Sequence, residues 1–323
     1  MNLAKTYSYL KNDLNTIEDA LNKVIQAEHP VLREASTQLL RAGGKRIRPV
    51  FVLLSGRFGD FNMDEIKTIA VSLELIHMAT LVHDDVIDEA TLRRGKPTIK
   101  HHYGNRVAMY TGDYILARAL ESITTIEKAA IHQSLSQAIV EVCVGEIEQI
   151  KDKYNINQNL RHYLRRIKRK TALLIATSCK LGAISAGLSE EHINKLYKYG
   201  YYIGMSYQII DDILDFTSTS KVLGKPSGND LRQGNITLPV LIAMRDHNFA
   251  ELLTNVFHVP SEIKDEDIKE LITKINQSDV IEQSYQLSER YLLKALDTIH
   301  DFPNHRAKQT LENIARYIGK RRS

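Results

Sequence analysis

Two acidic phrases of one form stand far apart in the chain: Asp84-Asp85-Val86-Ile87-Asp88 and Asp211-Asp212-Ile213-Leu214-Asp215. On a helix, residues i and i+4 lie one above the other, so Asp84 stacks with Asp88 and Asp211 with Asp215. Like charges at this spacing repel weakly in water, and more strongly where flanking Leu, Val and Ile exclude solvent. Such a face calls for a cation. Carboxylate oxygens suit Mg²⁺, which keeps several waters and joins a few carboxylates to substrate phosphates. A metal and diphosphate site is therefore expected, the alternative for either triplet alone being a solvated acidic patch.

Cations stand near both phrases. Gly43-Gly44 is followed by Lys45-Arg46-Ile47-Arg48-Pro49, three cations after two glycines. Glycines let backbone approach a ligand, while Lys offers a point charge and Arg a planar fork, so the cluster reads as an anion clamp or as a solvated turn. His77 precedes Asp84 by two helical turns and falls almost on its stripe. Gly95 and Pro97 break the helix after the first acids and leave Arg93 and Arg94 on a loop, either as diphosphate ligands or as salt-bridge partners. Lys170-Thr171 marks the point where the basic run from Arg165 gives way to apolar Ala172 to Ala176, and Gln208 lies just before Asp211. The stretch from Lys221 to Gly234 is rich in breakers, and its lysines, Lys225 among them, could close over a phosphate or belong to an ordinary loop.

The elements that must carry these residues are helices. Helical periodicity predicts segments at 7–27, 31–42, 63–90, 105–125, 130–151, 158–180 and 190–216, a buried helix from Val50 to Leu54, and further helices from Leu238 onward broken near Pro260 and Pro303. Alternating strands are not evident and no composition shift marks a linker, so one all-α domain over residues 1–323 is expected. With 43% hydrophobic residues the chain can bury a sizeable core, and a net charge of +4 does not imply nucleic acid. The basic run at Arg165 to Lys170 lacks interleaved aromatics, which also argues against nucleic acid. Cys143 and Cys179 allow no disulfide framework, and the N-terminus shows no signal-peptide pattern, so a cytoplasmic, soluble protein is expected, with no run reaching the length of a membrane span. The terminal Lys320-Arg321-Arg322-Ser323 reads as a solvated end or a weak attraction to anionic membrane surfaces.

Together the two acidic motifs, Gly43 to Pro49, Arg93-Arg94 and Gly224-Lys225-Pro226 resemble the trans-polyprenyl diphosphate synthases, from about Ala35 to the C-terminus. The resemblance implies a single-domain bundle of antiparallel helices round a central cavity, the isoprenoid synthase type, with the acidic motifs on facing helices. It implies Mg²⁺ on Asp84, Asp88 and Asp211, with Asp85, Asp212 and Asp215 in support. By the same resemblance Arg93, Lys170, Thr171, Gln208 and Lys225 bind the allylic diphosphate, for which farnesyl diphosphate is expected, and Lys45, Arg48, His77 and Arg94 bind isopentenyl diphosphate. The catalytic set is then Asp84, Asp88, Asp211, Lys170 and Lys225.

In short-chain members of the family, bulky aromatics stand at the fourth and fifth positions before the first motif. Here those positions hold small Thr80 and Ala79, the latter about 7.5 Å below Asp84 at 1.5 Å per residue, which implies a long product. The phrases Val140 to Ile150 and Gly200 to Ile210 look closest to the heterodimeric bacterial branch. That implies a small helper subunit, a C35 product, and a role in making the menaquinone side chain. Peripheral membrane contact for product release is a further expectation. Two alternatives remain: another ionising isoprenoid enzyme (a terpene cyclase or head-to-head synthase), against which Lys45, Arg48 and the second motif argue, and a non-enzymatic helical subunit.

Overall fold

The computed structural model describes residues 6–218 and 227–321, and these are almost entirely helical. Helices α1 (Lys11–Val24), α2 (Pro30–Arg41), α3 (Ile47–Gly56) and α4 (Met63–Ile87) come first. Pro30 opens α2, where a missing N–H costs nothing, and the Asn62 side chain accepts from the Asp64 and Glu65 amides to cap α4. A hairpin of β1 (Leu92–Arg93) and β2 (Lys96–Pro97) follows. Then come α5 (Ile99–Tyr103), α6 (Asn105–Ile123), α7 (Ala129–Asp152), α8 (Leu160–Ile167), a π turn over Lys168–Ala172, α9 (Leu173–Ser185) and α10 (Glu190–Thr217). The remainder forms α11 (Asn229–Arg232), α12 (Leu238–Ala243), α13 (His247–Phe257), α14 (Asp265–Asn276), α15 (Val280–Thr298) and α16 (Arg306–Gly319).

Three details differ from the sequence expectations. The loop holding Arg93 and Arg94 is a two-residue hairpin, because Arg94 and Gly95 both take positive φ (53° and 74°), as the tightest right-twisted hairpin turns require. The helix expected over 158–180 is interrupted by the π turn, which adds a residue to one turn and so re-aims Lys170 and Thr171. Helix α4 is long and apolar enough by length and composition to cross a membrane, whereas no such run was expected. Two thirds of its apolar window (67%) is buried inside the protein, as befits a core helix.

The chain forms two compact units. The first comprises Met1–Gln137, Leu174–Tyr197 and Phe302–Leu311. Its centre is α4, which packs chiefly on α6 and also on α1 and α3. Ile66, Ile69, Leu73 and Leu75 of α4 are wholly buried, each such side chain stabilising the fold by about 1.5–3 kcal/mol. The second unit comprises Ala138–Leu173, Lys198–Asp301 and Glu312–Ser323. In it α12 packs on α15, α14 and α8, and α13 packs on α14. Ser206 of α10 and Ser288 of α15 share a buried hydrogen bond of 2.7 Å.

Gly204 of α10 meets the Ala172 backbone so closely that a Cβ would run into it. The contact lies where the π turn gives way to α9, so Gly204 lets the re-aimed turn approach α10. Gly204→Ala is expected to lower stability by about 1–3 kcal/mol through overpacking, read as a fall in the urea midpoint of the helical signal. An unchanged midpoint would show that the contact is slack.

Candidate functional site

In the first unit the acidic phrase occupies the last turn of α4, with Asp88 as the residue that ends it. This is the carbonyl end of the helix, whose partial negative charge adds to that of the three carboxylates. Asp85 is buried at 4% exposure and receives Arg93 Nε at 2.8 Å and Nη2 at 2.7 Å. Burial raises the Asp85 pKa, with Arg93 opposing the rise and Asp88 adding to it. Asp84 and Asp88 remain half-buried.

The same unit gathers the expected cations. The Gly44 Cα is so placed that a Cβ would stand 2.8 Å from Arg94 Nη1, and this bare position admits the Arg94 guanidinium. Lys45 is exposed, and its carbonyl accepts from Tyr7 Oη at 3.3 Å. His77 is half-buried on α4, and its pKa is held well below the usual 6.5 by burial and by Arg48, Arg94, Arg93 and Arg46. The imidazole is therefore neutral at neutral pH, able to donate a hydrogen bond from one nitrogen. Arg48, His77, Arg93 and Arg94 thus belong to one electropositive neighbourhood, and exposed Lys45 follows Gly44 in the chain. Arg46, grouped with the clamp in sequence, instead turns inward to Glu18 and Glu74. Further along α4, Ala79 is buried at 2% exposure, and the Thr80 hydroxyl donates to the His77 carbonyl at 2.8 Å.

In the second unit the acidic phrase lies in the last turns of α10, again near a carbonyl end. Asp212 and Asp215 are buried at 3% and 1% exposure, while Asp211 is half-buried. Tyr163 Oη donates to Asp212 Oδ2 at 2.7 Å, Gln208 Nε2 donates to Asp212 Oδ1 at 2.8 Å, and Thr171 Oγ1 donates to Gln208 Oε1 at 2.6 Å. Burial, with Asp230 adding to it, pushes Asp212 up to about 7 against the pull of the Gln208 and Tyr163 hydrogen bonds. Asp215 caps the start of the next segment by accepting from the Asp230 amide at 3.1 Å. Lys170 donates to Gln149 at 2.9 Å. Lys170, Gln208, Asp212, Gln149, Tyr163 and Asp230 line a cavity of about 70 Å³, which has room for water. Of the expected site residues, Lys225 with its neighbours Gly224 and Pro226 lies outside the described residues.

Two partners were not legible in the sequence. Tyr163 carries no motif, and the basic tail showed no chemistry. Yet Arg321 Nη1 stands 2.8 Å from Asp211 Oδ1 with its guanidinium 4.9 Å from the Tyr207 ring. Asp211 and Tyr207 hold the Arg321 pKa up although burial pulls it down. Among the described residues no three His, Cys, Asp or Glu side chains gather closely enough to hold a metal alone. The donor set still fits Mg²⁺, because that ion binds through one or two carboxylates together with substrate phosphates and water.

The polyprenyl synthetase family model matches residues 29–275. Heptaprenyl diphosphate synthase component 2 of Bacillus subtilis (strain 168) is 58% identical over 322 residues, covering 100% of this chain and 92% of the relative. The crystal structure of heptaprenyl diphosphate synthase from Staphylococcus aureus is similar with a TM-score of 0.93 and 43% identity, covering 100% of this chain and 99% of that one. A polyprenyl synthase from Caulobacter crescentus CB15, complexed with calcium and isoprenyl diphosphate, matches with a TM-score of 0.94 and 29% identity over 100% of this chain and 98% of that one.

Arg321 already neutralises Asp211, so any cation arriving at that carboxylate competes with a guanidinium. Partly exposed ion pairs of this kind are worth about 0.2–1 kcal/mol, so Arg321→Gln should tighten Mg²⁺ or Mn²⁺ binding up to about fivefold. Calorimetric titration of the full chain without substrate measures this. Equal affinity in both proteins would make the pair incidental.

Proposed function

The chain belongs to the polyprenyl synthetase family and is a long-chain trans-prenyltransferase; we propose that it builds heptaprenyl (C35) diphosphate from farnesyl diphosphate and isopentenyl diphosphate, in the cytoplasm, for the menaquinone side chain. One observation carries the reading. Each of two Asp-Asp-x-x-Asp clusters sits at the carbonyl end of a helix and is met by a guanidinium, Arg93 in one case and Arg321 in the other.

Asp84, Asp88 and Asp211 are assigned to hold Mg²⁺, which supplies Lewis-acid stabilisation of the charge growing on a departing diphosphate. Arg93, Lys170, Thr171, Gln208 and Lys225 are assigned to the allylic diphosphate. Their N–H and O–H donors orient the leaving group and favour opening of the allylic C–O bond to a delocalised cation. Lys45, Arg48, Arg94 and neutral His77 are assigned to isopentenyl diphosphate, holding its double bond ready to attack. Loss of a proton then leaves an allylic diphosphate one C5 unit longer. Apolar walls serve by excluding the water that would quench the cation.

A small helper subunit is part of the proposal, since the Bacillus subtilis relative is named as one component of a synthase. In support, Val140, Val144, Ile147 and Ile150 of α7 recur at helical spacing and are all exposed, Ile147 at 67%. Peripheral membrane contact for release of the lipid is supported by Arg316 and Lys320 standing beside Leu293, which is 60% exposed.

The test is incubation with Mg²⁺, farnesyl diphosphate and labelled isopentenyl diphosphate, with and without the helper, followed by sizing of the product. Asp84→Ala and Asp211→Ala should each cut elongation by more than about a hundredfold while the far-ultraviolet circular dichroism is kept. Absence of elongation by the unaltered chain in either condition would sink the reading. Ala79→Tyr places a phenol ring one turn below the first acids and should shorten the product at retained helicity. A product of unchanged length would count against Ala79 as a chain-length position.

A further inference from the structure

The turn that carries Lys45 and Arg48 is held by a residue that the proposed function does not use. Arg46 has a left-handed backbone (φ 47°) at the start of α3, a conformation that costs a non-glycine residue energy and persists where surroundings enforce it. Its guanidinium supplies that enforcement. Nε donates to Glu18 Oε2 at 2.8 Å and Nη2 to Glu18 Oε1 at 2.9 Å, a two-point grip on α1. Nη1 donates to Glu74 Oε1 at 3.2 Å, a grip on α4 one turn before His77, and Nη2 also reaches the Leu40 carbonyl at 3.4 Å.

The ties are shielded. The Arg46 side chain is 13% exposed and that of Glu74 is 4% exposed. Burial alone pulls the Arg46 pKa down, and the two carboxylates more than offset it, so the guanidinium stays charged. A buried carboxylate such as Glu74 needs this partner, for alone it would lie charged and unpaired among apolar neighbours. Satisfying Glu74 therefore draws Arg46 inward, and the peptide units on either side of Arg46 take their direction from it. Lys45 is left exposed on one side, and Arg48 lies within the first turn of α3 on the other. Gly44 lacks a Cβ where the Arg46 and Arg94 guanidinium groups both approach, so the same inward turn also seats Arg94.

We propose that Arg46 is a positioning residue which, through Glu18 and Glu74, sets the turn that presents Lys45 and Arg48 to the diphosphate of isopentenyl diphosphate. This rests on the assignment of Lys45 and Arg48 to that substrate. Arg46 itself touches no substrate. Removing its grip releases the turn and weakens binding of one substrate, while the residues assigned to the other substrate lie outside this turn.

Steady-state kinetics of the full chain with Mg²⁺ and the helper subunit test this, varying each substrate in turn. Arg46→Gln should raise KM for isopentenyl diphosphate about tenfold, with KM for farnesyl diphosphate changed by less than about twofold. Glu18→Gln should shift the same KM in the same direction, and the double variant should be no worse than Arg46→Gln alone, because both changes break one tie. Arg46→Lys should recover part of the loss, since lysine keeps the charge without the fork. Equal rises in both KM values, additive effects of the two changes, or a fall in kcat with KM unchanged would each overturn the proposal. If Arg46→Gln does not fold, Glu18→Gln decides, because Glu18 is 39% exposed and can be changed without emptying the core. Lys45→Ala separates the two levels. If it leaves KM for isopentenyl diphosphate unchanged, the assignment of the turn fails and the role of Arg46 falls with it. If it raises KM while Arg46→Gln and Glu18→Gln do not, only the role of Arg46 fails.

Discussion

Carboxylates crowded at the carbonyl end of a helix are the constraint to which much of this protein answers. Helix α4 ends in Asp84, Asp85 and Asp88, and α10 nearly ends in Asp211, Asp212 and Asp215, so helix dipole and side-chain charge add instead of cancelling. Each cluster resolves the conflict by dividing its members. Asp85, Asp212 and Asp215 are buried and committed to protein donors: Arg93 for the first, Tyr163 and Gln208 for the second, the Asp230 amide for the third. Asp84, Asp88 and Asp211 stay half-buried, within reach of solvent, and Asp211 is met by Arg321. Burial favours the neutral form of a carboxyl, so the pKa of Asp85 and of Asp212 is raised.

The surrounding positive charge is organised by the same economy of buried pairs. In the first unit Arg46, Arg48, Arg93 and Arg94 lie around one half-buried histidine, and Arg93 also meets the first acidic cluster. Arg46 is held by Glu18 and Glu74, and Arg93 by Asp85. Burial and arginine charge hold the His77 pKa well below its usual value, which spares the arginines a further cation. Backbone strain concentrates here too. Arg46 and Arg94 both take positive φ, and each is kept there by what its guanidinium or its hairpin demands.

Helices, motifs and the chemistry they suit were legible in the sequence because each rests on local pattern. Apolar spacing marks α4 and α10, and paired acids at i and i+4 need no tertiary knowledge to be placed on one face. What escaped was side-chain direction. Lys45, Arg46 and Arg48 look alike as a cationic run, and only Glu18 and Glu74, from two other helices, decide that Arg46 points inward. The terminal run read as a solvated end, yet Arg321 lies on Asp211, a partner more than a hundred residues away. The π turn likewise has no signal of its own. It ends at Ala172, which packs on Gly204, and from it Thr171 reaches Gln208 and Lys170 reaches Gln149.

Helix α4 binds two requirements into one element. Its interior length is apolar nearly all round, because it is buried on most sides, while its final turn must carry charge. A reaction that joins a diphosphate head to a growing hydrocarbon asks for that sequence of environments along one axis. The Thr80 hydroxyl, between Ala79 and the acids, is turned back onto the His77 carbonyl. Ala79 is already buried at its small size. Enlarging it therefore acts on the buried stretch of the helix, about 7.5 Å from Asp84 at 1.5 Å per residue. Along α4, side-chain volume at Ala79 and charge at Asp84 and Asp88 are thus set in different environments, the one buried and the other half-buried.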